Sequence, residues 1–460
     1  MRKYGIIAVV LLLVAVCTAF WLWMRRGNDS MASSLPKDAS LIVRVDVKKV
    51  LSEYGITWVD ITKAFFSGDN ETGINPQQTG YFFAWNGYLG AILPLKDEDD
   101  FKAYLLAHSH TTQEQRGIKW CVVDNRHLVG YTEDRAVVMG PAVGAELDNL
   151  RNIIAQCLNQ DEKESGMQSP LYARLQERPE PIALATDLQS LKALPMVGEV
   201  IQSYLKEEVD ITAGVRVGKE KTTLSLALSS NDPKTNQLFD AMDASLLPLN
   251  GHLLKTAPKH PFFHMEMGVS GERLLELLRS IPEVRAKLLI ANTIFDADLL
   301  LKNIAGDVSL SVPFINLFNK PSPVLQMELK EVSVVSDPAA WNDEFSQAAG
   351  VRFLPANAKQ GRVDMRERPS LYYGIYENRL CLSESQPLAW ATAYEDMGYA
   401  GDENLSDYRI YATLNLGNIM LFKGFADRSQ QLTLKASDAR QWQLDIATDA
   451  IGDIVKLLYK

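Results

Sequence analysis

The feature that most constrains this chain is an internal repeat. The stretch Gly117–Met139 (GIKWCVVDNRHLVGYTEDRAVVM) aligns without a gap with Gly361–Ser383 (GRVDMRERPSLYYGIYENRLCLS), at an offset of 244 residues. Glycine, glutamate and arginine coincide at four positions, and both stretches contain the apolar and polar alternation that is typical of β-strands. The two segments should therefore form the same local structure, so the chain builds one architecture twice.

Other segments repeat in the same order around this pair. Leu35–Leu51 corresponds to Ala257–Leu275, each with a Pro-Lys entry, a strand and then a helix, and each half ends in two alternating strands. The period is much longer than the repeats of solenoids and propellers, which favours a domain duplication. We predict two homologous modules, at residues 35–250 and 251–460.

Apolar spacing within a module predicts the fold class. Leu41, Val43 and Val45 alternate with polar residues, as in a sheet with one face in water. The acidic run Asp97–Asp100 precedes an apolar helical pattern, and carboxylates suit the positive end of a helix. The class predicted is α+β: a transmembrane helix, then two modules of mostly antiparallel sheet with helices packed on one face.

The N-terminus carries an apolar segment without charge. Residues 6–24 would span about 28 Å as a helix, close to the thickness of a bilayer core. Arg25 and Arg26 follow directly and would end the span. We predict a signal anchor at residues 1–26 and a linker at 27–34.

Two alternatives stay open for this segment. The small residues Cys17–Ala19 fit the cleavage site of a signal peptide, although the apolar run continues past them. Cys17 could instead carry a lipid, although Val16 before it is bulkier than the small residue expected there. Basic residues flank both ends, so the loop charges do not fix the orientation. We predict a single-pass inner-membrane protein with the bulk of the chain in the periplasm, and a lipoprotein as the alternative.

Charge and cysteine content exclude some classes of partner and fold. The chain has 47 Lys and Arg against 57 Asp and Glu, a net charge of −10, which disfavours binding to phosphate backbones and so excludes nucleic acid. Beyond the anchor only Cys121, Cys157 and Cys381 remain, an odd number that cannot complete a disulfide framework. A bridge between Cys121 and Cys381 stays open as an alternative.

No catalytic or cofactor motif is present in the sequence. There is no Walker loop, no G-x-G-x-x-G, no G-x-S-x-G and no H-E-x-x-H. His108 and His110 end a helical pattern, and His260 and His264 flank a proline at a strand entry. We interpret these histidines as solvated or packed side chains and predict no metal and no cofactor.

Two sets of side chains are candidates for binding. A glutamate and an arginine recur two residues apart in both modules, where they form a surface ion pair or line a cleft: Glu133, Arg135, Glu377 and Arg379. The densest aromatic region lies in module 2, and aromatic side chains either pack a core or anchor a partner: Trp341, Tyr372, Tyr373 and Tyr376.

The order of these elements resembles a known family. An N-terminal membrane segment, the P-K-D-A entry before LIVRVDVKKVL, and the stretch GYFFAWNGYLGAILPLKDEDDFKAYL are similar to uncharacterised cell-envelope proteins of Bacteroidota that contain domains of unknown function. Members are often lipoproteins, and the resemblance implies an envelope location and no catalytic residues.

Three functional hypotheses follow. The first is an envelope-anchored protein, attached through residues 6–24, whose duplicated ectodomain is an interaction or scaffold module for an envelope protein partner. The second is a binding protein that holds a lipid or another apolar envelope molecule in a groove between the modules. The third is an enzyme whose site is assembled from scattered residues.

Overall fold

The computed structural model describes residues 30–54, 72–75, 77–191, 209–218, 221–257, 261–313, 322–335, 344–366, 368–390, 404–415 and 431–447. The chain divides into two compact units, 1–198 and 199–460. The α+β class with antiparallel sheets is confirmed in both. The predicted anchor at residues 6–24 lies outside the described residues, and within the described ranges no helix is long and apolar enough to cross a bilayer.

The first unit is built on an eight-stranded antiparallel sheet. Its strands run in the spatial order β8-β1-β2-β3-β7-β6-β5-β4, with these bounds: β1 Leu41–Val45, β2 Gly80–Trp85, β3 Tyr88–Pro94, β4 Gln113–Gln115, β5 Ile118–Val123, β6 His127–Tyr131, β7 Arg135–Gly140 and β8 Ile182–Asp187. The helices described in this unit are α1 Val47–Tyr54, α2 Glu98–Ala107, α3 Ala145–Asn159, α4 Pro170–Gln176 and α5 Leu188–Leu191.

Helices of the first unit cover both faces of its sheet, so the expectation of helices on one face was wrong. Leu150 and Ile154 of α3 pack on one face, and Phe101 and Leu105 of α2 pack on the other. The cause is that β5 to β7 bury side chains on both faces, and an apolar sheet face is stable only when another element covers it. The acidic helix start is confirmed, because Asp97 caps α2 through its contact with the Asp100 backbone N–H.

The second unit contains a longer antiparallel sheet. Its strands run in the order β9-β10-β21-β20-β19-β12-β13-β14-β18-β17-β16-β15, with β11 beside the end of β12. The bounds are β9 Asp210–Val217, β10 Lys221–Ser229, β11 Leu246–Leu247, β12 Phe263–Ser270, β13 Ile304–Val312, β14 Val324–Leu329, β15 Val351–Pro355, β16 Gln360–Met365, β17 Arg368–Tyr376, β18 Arg379–Ser383, β19 Ile410–Asn415, β20 Gln431–Ala436 and β21 Gln441–Ala447.

The structure describes six helices in the second unit. They are α6 Pro233–Ser245, α7 Gly271–Ser280, α8 Pro282–Ala291, α9 Ala297–Asn303, α10 Glu344–Ala348 and α11 Gln386–Ala389. Asp232 caps α6 and Asp296 caps α9, each through a backbone N–H of the first turn. A side-chain oxygen at this position satisfies a donor that the helix itself cannot pair.

Eight strands of each sheet have the same order of neighbouring strands. The order β8-β1-β2-β3-β7-β6-β5-β4 in the first unit matches β19-β12-β13-β14-β18-β17-β16-β15 in the second, strand for strand. The predicted module 1 extends to residue 250, whereas the first unit ends at residue 198. Strands β9 and β10 therefore lie in the second unit, where β10 pairs with β21. The module boundary concerns sequence repetition and stays a prediction.

Candidate functional site

Strands β15 to β18 present a continuous apolar face at one end of the second sheet. Paired positions such as Phe353 and Val363, Val363 and Leu371, and Tyr373 and Leu382 place apolar side chains side by side across the strands. Alternation puts these residues on one face because successive strand side chains point to opposite faces.

This apolar face borders a cavity of about 300 Å³. The opposite wall comes from three segments: the turn after α8, helix α9, and the 3-10 turn Val332–Val335. Every residue that lines the cavity has an apolar or aromatic side chain: Ile294, Phe295, Leu300, Val335, Val351, Phe353, Val363, Met365, Leu371, Tyr373, Leu380 and Leu382.

The corresponding face of the first unit is filled. At the offset of 244 residues, Cys121, Val129, Ala136 and Val138 correspond to Met365, Tyr373, Leu380 and Leu382. In the first unit these side chains form a core cluster with Phe101 and Leu105 of α2, and the Phe101 and Tyr131 rings meet edge to face with centroids 5.2 Å apart. The same position on the repeated strand pattern thus packs against helix α2 in the first unit and borders a cavity in the second.

Helix α8 leads directly into the cavity wall. None of its described side chains is buried, and Leu289 and Ile290 are 64% and 65% exposed. Four and five residues after Ile290, Ile294 and Phe295 line the cavity. Exposed apolar side chains are thus close in sequence to the cavity wall.

The aromatic residues predicted as a binding cluster divide between two faces of β17. Tyr373 lines the cavity. Tyr372 packs edge to face against Trp390, with centroids 6.1 Å apart, and the hydroxyl of Tyr376 contacts the Gln360 side chain and the Ala389 carbonyl. Trp341 lies outside the described residues. Alternation along β17 is the physical reason that these tyrosines do not form one patch.

The two glutamate–arginine pairs lie at hairpins. Arg135 pairs with Asp134, with Nη2 2.7 Å from Oδ2, and its Nη1 donates to the Ser33 and Ser34 hydroxyls. Arg379 lies over the Tyr376 ring, with Cζ 5.7 Å from the centroid. Glu133 and Glu377 are exposed, and Glu377 has a positive φ of 53° in the β17–β18 turn. The recurring glutamates thus occupy exposed turn positions.

The other face of the second sheet holds a buried polar cluster that the sequence analysis did not identify as a site. On β12 to β14 the alternate residues are polar and at most 6% exposed: His264, Glu266, Asp307, Ser309, Ser311, Gln326 and Glu328. Alternation with Met265, Met267, Val308 and Leu310 is the usual pattern of a strand with one wet face, which is why sequence reasoning missed it. In this unit the face is covered instead.

A histidine at the centre of this cluster contacts a serine and a glutamate. Nδ1 of His264 lies 2.8 Å from Oγ of Ser311, and Nε2 lies 3.5 Å from Oε2 of Glu266. Burial lowers the pKa of His264 to about 4, so the ring is neutral at pH 7. All three side chains have no exposed surface. A substrate cannot reach Ser311 in this conformation, so the arrangement does not constitute an acyl-transfer site.

The carboxyl groups of the cluster have perturbed acidities. Burial raises the pKa of Glu266 to about 7, and the nearby Glu328 carboxylate adds to the increase. Burial and the Glu266 carboxyl raise the pKa of Asp307 to about 8. Removal from water disfavours the charged form of a carboxyl group, which is the main physical cause of both shifts. Among the described residues no set of three His, Cys, Asp or Glu side chains has the geometry to hold a metal ion.

The three cysteines in the described ranges are free thiols and buried: Cys121, Cys157 and Cys381. Burial raises the pKa of Cys157 to about 12 and of Cys381 to about 11. The alternative of a bridge between Cys121 and Cys381 is therefore wrong, and the buried thiols are poor nucleophiles.

Comparison with known proteins identifies a family. A family model described as "Domain of unknown function (DUF4836)" matches residues 35–413. No curated protein sequence matches this chain significantly.

Solved structures give only weak similarity. Crystal form IV of TP0453 is 13% identical with a TM-score of 0.28, over 43% of this chain and 79% of that chain. Crystal form III is 10% identical with a TM-score of 0.30, over 48% of this chain and 89% of that chain. Scores of this size are too low to indicate a shared fold.

Proposed function

This chain belongs to the DUF4836 family, a domain of unknown function, and on that premise we propose that its second unit binds an apolar molecule. The observation that carries the proposal is the 300 Å³ cavity, whose lining side chains are all apolar or aromatic. Apolar cavities exclude water and accept apolar guests, because water inside them would lack hydrogen-bond partners.

The size of the cavity limits the ligand. Small-molecule sites range from about 300 to 1,000 Å³, so this cavity is at the lower end. A single unbranched hydrocarbon chain fits such a volume, with any polar head remaining outside the apolar walls. The ligand class is therefore an acyl or alkyl chain, and a lipid with one chain inserted is the proposed natural form.

The first unit supports this interpretation by contrast. There the matching strand face is filled by Phe101 and Leu105, so the strand pattern does not by itself require a cavity. The two units share the order of eight strands, which supports the proposed duplication. The cavity of the second unit therefore lies on a strand face that packs against a helix in the first unit.

The surroundings of the cavity suggest how a ligand enters. Leu289 and Ile290 on α8 expose apolar surface next to the segment that lines the cavity. Exposed apolar side chains attract an apolar ligand, because each methylene that is buried gains about 0.8 kcal/mol. We therefore expect a ligand that leaves a membrane or micelle to contact these two side chains first. The predicted anchor at residues 6–24 would hold the chain at an inner membrane, with the bulk of the chain in the periplasm.

A role as an interaction module for an envelope protein is the second candidate function. Phe82 and Leu89 are 48% and 65% exposed, and pairing of Phe82 with Ala91 and of Ala84 with Leu89 places them on the same face of the first sheet. Exposed apolar side chains grouped on a sheet are typical of a protein contact surface.

The first experiment measures affinity against chain length. Isothermal titration of the purified chain with a homologous series of unbranched 1-alkanols should show binding that tightens about fourfold per methylene. Affinity should stop rising once the chain exceeds the length that the cavity holds. Affinity independent of chain length, or no binding, would exclude the proposal.

A matched pair of variants locates the site. Val363→Phe places a larger side chain in the cavity and should abolish binding while leaving the unit folded. Leu354 is on β15 but is not among the lining residues, and it is 38% exposed. Leu354→Phe should therefore bind like the unchanged chain. Equal loss in both variants would place the ligand elsewhere.

A further inference from the structure

One side of helix α8 is an apolar strip in contact with solvent. At about 3.6 residues per turn, Ala286 lies between Leu289 and Ile290 on this side, and these three residues are called the α8 strip here. All three are exposed, with Leu289 at 64% and Ile290 at 65%. Val284 and Leu288 lie on the other side of the helix and are half-buried. The α8 strip therefore faces away from the body of the second unit.

Two cations border the α8 strip. Arg285 lies on one side of it around the helix and Lys287 on the other, and both are exposed. Neither forms an ion pair within the described residues, whereas Arg279 of the preceding helix pairs with Asp298. The one acidic residue of α8, Glu283, is in the first turn, where a carboxylate suits the positive end of the helix. The strip is thus apolar along its centre and positively charged along both edges.

This combination fits the surface of a lipid bilayer. The α8 strip can enter the boundary between headgroups and acyl chains, while the long side chains of Arg285 and Lys287 extend back to the headgroups. Their positive charges favour anionic headgroups. The chain has a net charge of −10, but salt screens charges separated by more than about 8 Å. The two cations beside the strip therefore determine the local attraction.

The α8 strip is small for a protein interface. A stable interface buries about 800 Å² on each partner, whereas α8 has ten residues and is about 15 Å long. A bilayer requires less contact area when the protein has a second attachment. The predicted anchor at residues 6–24 would supply that attachment, so a bilayer fits this surface better than a protein partner does.

We propose that α8 docks the second unit on an anionic lipid bilayer, with the α8 strip inserted at the headgroup boundary and with Arg285 and Lys287 at headgroup phosphates. Ile294 and Phe295 of the cavity wall follow shortly after this helix, so docking would place the segment that leads into the cavity at the bilayer surface. The inference goes beyond the proposed function, because bilayer contact at α8 and alkanol binding in the cavity are measured separately and either can fail alone.

Hydrogen–deuterium exchange of the full chain tests the docking. The chain is reconstituted with vesicles of phosphatidylcholine alone, or of phosphatidylcholine and phosphatidylglycerol in equal parts. Exchange of a peptide covering α8 should be slower on the anionic vesicles than on the neutral ones, and high salt should remove the difference. Helix α2 is the internal control, because Leu106 is 50% exposed there but the first turn is acidic.

Two outcomes of this comparison would overturn the proposal. Equal exchange of α8 on both kinds of vesicle would exclude docking on anionic lipid and leave the α8 strip to a protein partner. Equal slowing of α8 and α2 would mean that the chain adsorbs without a specific surface.

A matched pair of double variants tests the two cations. Arg285→Gln with Lys287→Gln should weaken docking on anionic vesicles about fivefold for each charge lost, while alkanol titration of this variant should be unchanged. Arg126→Gln with Lys163→Gln removes the same charge from exposed positions of the first unit and should dock like the unchanged chain. Equal weakening in both double variants, or unchanged docking in the first, would exclude headgroup contact by α8.

Discussion

The backbone N–H of Gly251 donates to Oδ2 of Asp307 over 2.8 Å in the interior of the second unit. Asp307 has no exposed surface, and its carboxyl group also accepts a hydrogen bond from the backbone N–H of Asn250 over 3.0 Å. Because Asp307 is buried and accepts hydrogen bonds from the segment before β12, a change in its protonation changes the stability of the second unit.

We expect the free energy of unfolding to fall as pH rises from about 6.5 to 8.5. Glu266 and Asp307 have folded pKa values of about 7 and about 8, against ordinary values of 4.5 and 3.8. In that window the unfolded chain has already lost these protons, so the stability gained from holding them disappears as pH passes the folded values. The loss should be on the order of 2–3 kcal/mol. Urea denaturation across this range provides the measurement.

His264 does not contribute to the change in the free energy of unfolding above pH 6.5. Its folded pKa of about 4 lies below the ordinary value of 6.5, so its effect appears only on acidification through that interval. Glu266→Gln should flatten the decline above pH 6.5, and an unchanged slope in this variant would contradict the assignment.

We expect Gly374→Ala to destabilise the second unit by about 2 kcal/mol or more. A Cβ atom at this position would collide with the carbonyl oxygen of Ala389, which is backbone and cannot rotate away. Gly117→Ala is the control: a Cβ there meets nothing within 4 Å, although φ is +75°, so the cost should be only about 1 kcal/mol. Thermal unfolding of both variants makes the comparison, and equal shifts would contradict the packing argument.

We expect Cys157 and Cys381 to resist alkylation in the folded chain. Burial keeps the pKa of these thiols near 12 and 11, and the thiolate is the reactive form. Mass spectrometry after iodoacetamide treatment at about pH 8 should find both unmodified, and both modified once urea unfolds the chain. Rapid labelling of Cys381 in the native state would contradict the burial of this thiol.

We expect Arg135→Ala to loosen the segment before β1. The Arg135 side chain is 16% exposed and donates to the Ser33 and Ser34 hydroxyls, and loss of such bonds costs about 1–2 kcal/mol. Hydrogen exchange of residues 31–35 should rise. Arg126→Ala removes an exposed arginine from a neighbouring turn and should leave that exchange unchanged. An equal effect in both variants would mean that the contacts with Ser33 and Ser34 contribute nothing.

We expect the double variant Leu289→Ser, Ile290→Ser to slow ligand entry without changing final affinity. These side chains are exposed on α8 and do not line the cavity, so they act on the approach of the ligand and not on the bound state. Stopped-flow mixing with a fluorescent alkyl probe in micelles measures the rate. Leu106→Ser, at an exposed apolar position of α2, is the control. A changed equilibrium constant would place α8 in the binding site itself.

The sequence alone determined the α+β class, the order of repeated elements and the starts of several helices. Those features depend on local patterns: alternation in β5 to β7 and in β16 to β18, and caps such as Asp97 and Asp232. Such patterns act within a few residues, because capping and strand alternation follow from backbone geometry. The anchor at residues 6–24 is a local pattern of the same kind and stays a prediction.

Only the tertiary structure decided which faces are buried and how they are filled. His264 and Glu266 alternate with methionines as solvent-facing residues would, yet neither has any exposed surface. Tyr373 belongs to an aromatic cluster in the sequence, yet alternation turns it away from Tyr372 and into the cavity. Burial depends on segments distant in sequence, such as Ile294 and Val335 against β16, and no local pattern encodes their approach.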